Sequence, residues 1–277
     1  MAFPEWSSHC VVSAIGAYCT PIPITEVIRY GIPVDSVLIY EQWGWPVRLE
    51  VMQQLAEYFK GTIFVKDMVD SAHVMRTMDA IPDDFKAFVE IISLSKLLGL
   101  LSGGIAKVNG EYLSFCPETE SKMLLNVFED RGVIEQPGDL VKNILKEDIK
   151  ALPAQLAEWT AGNDLFGAVE HELMQRQKNL KDMLNTMFAE QWPDWMKEAI
   201  ENGAGPGIVP LLRGCSQDSM LKNRERLLRL HGYETCVYHF NWSGNPVEPQ
   251  YEKCLAFPVH GMVSGIEEIL KTIVVDS

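Results

Sequence analysis

The sequence predicts an α-rich α+β fold in two halves, 1–137 and 138–277, and three observations carry that expectation. Apolar residues recur at helical spacing over Val47, Leu49, Met52, Leu55 and Phe59, and again over Phe166, Val169, Leu173, Leu180, Leu184, Met187 and Phe188. Asn109-Gly110, set between two short apolar stretches, reads as the tight turn of a β-hairpin. Gln136-Pro137-Gly138 is a strong turn and the natural boundary between the halves.

Taken in order, the first segment is broken by Pro4, Pro21, Pro23, Pro33 and Pro46, so only short elements fit there. They are helices over 11–18 and 25–30 and a strand over 37–40. Trp43 and Trp45 flank Gly44 as a hydrophobic plug. The helix over 47–59 stops at Gly61, the β-branched and aromatic stretch 62–66 is a strand, and Asp70 or Ser71 caps a further short helix. Pro82-Asp83-Asp84 starts a helix that runs to Leu101, with acidic side chains in its first turn. A hairpin over 105–115 and a helix over 119–131 follow. In the second half, short helices over 139–149 and 151–160 precede the long one capped by Asn163 or Asp164. A helix over 217–229 ends at His231-Gly232, strands span 233–242 and 251–258, and a helix spans 263–272.

Residues 82–131, a helix, a hairpin and a helix, resemble the second half of a winged-helix unit. Its leading helix carries Asp83, Asp84, Lys86, Glu90 and Lys96, and the whole chain has a formal net charge of −14. Such a chain repels phosphate backbones, which argues against nucleic acid as a partner. Arg213, Lys222, Arg224, Arg226 and Arg229 are the one basic concentration, and at helical spacing they read as a solvated helix face. Six cysteines without regular spacing suggest reduced thiols and a cytoplasmic protein. The uncharged run 6–25 lacks the basic start of an export signal, and no stretch is a membrane span.

Glu201-Asn202-Gly203-Ala204-Gly205-Pro206-Gly207 is the most suggestive motif, because glycines let a ligand approach the main chain. It is similar to the first motif of the S-adenosylmethionine-dependent methyltransferases, whose O-methyltransferases often carry a winged-helix dimerisation region ahead of it. The resemblance implies an S-adenosylmethionine cofactor held by Glu201, Gly203, Gly205 and Gly207. It also implies a small-molecule substrate, a homodimer, and His239 as the base that deprotonates the acceptor. Three features depart from the family: 195–200 reads as a helix end where a strand should lead in, only Asp218 is available as the acid that should end a second strand, and few residues follow the loop. The plain alternative makes Asn202-Gly203 a helix C-cap and 206–210 the start of the next helix. Cys236, His239, Cys254 and His260 have the chemistry of zinc ligands, but Cys236 and His239 have opposite parity on a strand, so no metal is expected. The second functional expectation is a non-catalytic, acidic regulatory protein whose winged-helix-like surface meets a protein partner.

Overall fold

The computed structural model describes residues 1–72, 84–99, 104–112, 164–213, 218–263 and 265–266. Its first sheet is built from β1 (Ala2–Phe3), β2 (Ile22–Pro23), β3 (Ser36–Tyr40), β4 (Ile63–Asp67), β5 (Ala87–Ser93), β6 (Gly104–Val108) and β7 (Glu111–Tyr112). Helices α1 (His9–Gly16), α2 (Ile24–Tyr30) and α3 (Leu49–Tyr58) fall between the early strands, and α4 (Leu94–Leu98) follows β5. The strand order is β2-β1-β3-β4-β5-β6-β7; the first five strands run parallel, and β6 and β7 add antiparallel. A parallel sheet needs crossover connections, which the short helices between Pro-rich turns supply.

The fold is therefore α/β, and the α-rich expectation is corrected. The error lies in residues 84–99. Phe88, Glu90 and Ile92 are buried and Ile91 is exposed, so burial alternates with period two although hydropathy does not, and the stretch forms β5 beside β4. A buried parallel strand reads as a nearly continuous apolar stretch, which period alone does not separate from a helix. The winged-helix reading falls with that helix. Its hairpin survives: Asn109 and Gly110 take φ of 51° and 85°, the left-handed pair a tight turn requires. It closes the edge of the parallel sheet. The predicted helices over 119–131, 139–149 and 151–160 and the boundary at 136–138 lie outside the described residues.

The long helix α5 (Leu165–Leu184) ties the first sheet to a second. Val169 and Leu173 pack on Met68, Ala72, Ile92 and Leu97 at the strand ends, while Leu180 and Met183 enter a core with Trp192, Phe240 and Phe257. That core lies against the sheet β8-β10-β9, formed by β8 (Ile208–Leu211), β9 (Cys236–Asn241) and β10 (Tyr251–Pro258), all antiparallel. Helices α6 (Asp194–Glu201) and α7 (Asp218–Leu230) cover it, burying Met196, Ile200, Leu221 and Leu228. Residues 206–210, expected to begin a helix, instead lead into β8, whose Pro210 sits opposite Ala256.

Candidate functional site

In a doubly wound sheet the crossovers leave β1 and β3 toward opposite sides, and a crevice opens at the carboxyl ends of the strands. The order β2-β1-β3-β4-β5 puts that switch between β1 and β3. Here the crevice is a cavity of about 610 Å³, closed on its far side by residues of the second sheet. The ends of β1, β3, β4 and β5 contribute to it. After β1 come Trp6, Ser7 and Ser8 at the start of α1; after β3 come Glu41, Gln42 and Trp43; β4 ends in Asp67, with Val69 and Asp70 beyond; Lys96 stands just after β5.

The charged groups gather at the loop 67–72. Lys96 Nζ lies 3.2 Å from an Asp70 carboxylate oxygen. Asp67 accepts the Val69 N–H at 3.0 Å, yet burial, with the nearby Asp70 and Glu41 charges adding to it, raises its carboxyl above the usual range. Arg176, buried on α5, donates from Nε to Glu172 at 2.6 Å and from Nη1 to the carbonyls of Asp70 and Gly205 at 2.7 and 3.2 Å. It thereby fastens the strand-end loop to the glycine loop. Glu41 is fully buried, paired with Lys66 Nζ at 2.8 Å, and accepts the Ser71 hydroxyl. Cys236 and Tyr238 of the second sheet, and His260 just beyond β10, reach the cavity; burial raises the Cys236 thiol and lowers the His260 imidazole.

The residues singled out by sequence are mostly elsewhere. Glu201 ends α6, so the stretch before the glycine loop is a helix rather than the strand a methyltransferase requires. Gly203 has φ of 91° and receives Gln177 on its carbonyl at 2.6 Å. A Cβ at Gly205 would overlap Leu173 and approach Ala72 to 3.3 Å, and one at Gly207 would stand 3.0 Å from the Arg176 guanidinium. Gly205 and Gly207 are thus small so that α5 can pack against the loop. Only Gly207 reaches the cavity wall. His239 stacks on Trp6 with ring centres 4.2 Å apart, and its carbonyl accepts Gln42. Cys254, opposite Tyr238 on β10, is buried, and burial pushes its thiol well above the usual range; among the described residues no three His, Cys, Asp or Glu side chains group as metal ligands.

These features define a doubly wound α/β protein with a lysine and two aspartates at the strand-end crevice. No protein-family model matches the chain, and no curated protein matches it in sequence. Among solved structures, the 8-amino-7-oxononanoate synthase of Francisella tularensis is similar over 99% of this chain and 74% of its own, with a TM-score of 0.51 at 11% identity. That likeness shows the fold. It overturns the S-adenosylmethionine and methyltransferase reading, whose winged helix and lead-in strand are both missing, and it lends no support to the regulatory winged-helix alternative. No helix among the described residues is long and apolar enough to cross a membrane.

Sequence reading passed over Lys96, Asp70 and Arg176. In the sequence Lys96 is a charge on a helix predicted to start at Pro82, Asp70 is a predicted helix cap, and nothing singles out Arg176. The usable signal was Asp67 at the end of a clear strand, because carboxyl ends of parallel strands are where such folds hold ligands.

Proposed function

We propose that the strand-end cavity binds pyridoxal phosphate and that the chain is built on the plan of an enzyme acting on amine or amino-acid substrates. The observation that carries this reading is Lys96 beside Asp70, 3.2 Å apart, at the carboxyl ends of the parallel strands. The donor set fits the group in kind. An amine for its aldehyde comes from Lys96, and a carboxyl group for its pyridine nitrogen comes from Asp67. The first turn of α1, entered through Ser7 and Ser8, offers N–H groups to its phosphate. The fold it shares with the synthase supports the assignment. When bound, pyridoxal phosphate supplies an aldehyde that a lysine captures and a ring that withdraws electrons from the amine substrate.

The chain's own residues then divide the work. Lys96 is the nucleophile, and Asp70 holds its ammonium in place. Asp67, with its raised carboxyl, can keep a proton in the crevice. Arg176 fixes the loop that carries Asp70 by bonding its main chain. The test is to incubate the protein with pyridoxal phosphate, reduce with borohydride and map the modified lysine by mass spectrometry. Modification at Lys96 alone supports the reading; no modification, or modification spread over exposed lysines, overturns it.

A further inference from the structure

Trp43 is held in a conformation that bulky residues rarely adopt. Its φ is 59° and ψ 18°, in the left-handed region, although a glycine stands next to it. Three contacts keep it there. The Gly207 N–H donates to the Trp43 carbonyl at 2.9 Å. The Gln42 side chain, one residue earlier, donates to the His239 carbonyl at 2.8 Å and accepts the Asn241 N–H at 3.0 Å. The indole stacks on Phe240 with ring centres 5.1 Å apart and meets Tyr238 at 5.9 Å. Strained backbone persists only where the surroundings over-determine it, and such positions concentrate at ligand sites. Trp43 lines the cavity, and Trp6, Tyr40 and Tyr238 line it too, together with Lys96, Asp67 and Asp70.

We infer that the cavity takes an amine substrate carrying a flat aromatic ring, with Trp43 as the residue that selects it. The amine end of this assignment rests on the cofactor reading above; the aromatic end rests on the wall itself. At about 610 Å³ the cavity has the volume of sites that enclose a small molecule. A lining that holds both charged groups and aromatic rings suits a molecule with a polar head and a planar ring. Indole and phenol rings gain from offset or edge-on contacts that an aliphatic chain does not make.

Calorimetric titration of the full chain with L-tryptophan, L-leucine and L-aspartate, with and without pyridoxal phosphate, tests this. Tryptophan should bind roughly ten-fold tighter than either of the others, the scale of one good ring-on-ring contact. Trp43→Gly, which suits the backbone, should erase that margin, and Trp43→Phe should keep most of it. Equal affinities for the three amino acids, or a margin that survives Trp43→Gly, overturns the inference. The order of affinities in cofactor-free protein judges the wall, while the absence of a reduced adduct at Lys96 judges the cofactor reading, so the two fail separately.

Discussion

Lys96 and Asp70 face each other at 3.2 Å from the ends of neighbouring parallel strands. About half of the Lys96 side chain is exposed. Solvent screening therefore limits the pair to about 0–1 kcal/mol of stability. Lys96→Ala should leave the thermal unfolding midpoint almost unchanged and remove the borohydride-trapped adduct completely. Differential scanning calorimetry and intact-mass measurement on the same preparation check both halves. A large loss of stability would show that the lysine is there to hold the loop rather than to react.

Gly205 lies where a side chain has no room, against Leu173 and Ala72, both buried. Gly205→Val should cost about 1–3 kcal/mol in urea unfolding, the range for overpacking a filled core. Gly205→Ala should cost less, because the nearest obstacle is the flexible end of Leu173. Equal stability of the valine variant and the parent would mean that α5 moves away freely, and the tie between the two sheets would be looser than its packing implies.

The raised carboxyls of Asp67 and Glu90 make stability depend on pH. For both, burial is the largest cause. The folded protein binds these protons more tightly than the unfolded chain, so stability falls as pH rises from the ordinary carboxylate range through the folded values. Asp67→Asn retains an acceptor for the Val69 N–H and removes one of these titrations. Its denaturation midpoint should therefore be higher than that of the parent at neutral pH, with a flatter profile between acid and neutral. A profile as steep as the parent's would show that Asp67 is solvated in solution.

The sequence carried two strands of the second sheet, the long helix and the hairpin clearly, because each has its own local signal, whereas β8 read as a helix start. Asp164 stands at the N-cap position of α5, Asn109-Gly110 adopts the left-handed turn, and β9 and β10 are bounded by Gly232 and the loop after Trp242. The parallel sheet was hidden for a physical reason. Its pairs join residues far apart in sequence, such as Ala2 with Val37 and Phe64 with Phe88, and its buried strands lack the alternation of a half-exposed one. The cavity inherited that obscurity, since Trp6, Trp43, Asp70, Lys96 and Arg176 meet only after the sheet is wound. The glycine loop was legible as a close approach of backbone, but what approaches it is Leu173 and Arg176 of α5.

Beneath the cavity, Lys66, Glu90 and Lys107 stand in register across β4, β5 and β6, an alternating row of charges within the sheet. Glu41 joins the row through Lys66 at 2.8 Å, with its own side chain fully buried and the Lys66 side chain 17% exposed. Taking two charges out of water is costly, and close pairing is what makes it tolerable. Lys66→Met removes the cation and leaves Glu41 and Glu90 without it, so urea unfolding should report a loss of about 3–5 kcal/mol. Converting Glu41 as well, in Lys66→Met/Glu41→Leu, should restore most of that loss, because no buried carboxylate is then left at position 41. The recovery should stop short by about 1 kcal/mol, since Ser71 loses the acceptor for its hydroxyl. A single variant as stable as the parent, or a double variant no better than the single, would show that the row is solvated and that Glu41 does not depend on Lys66 for its charge.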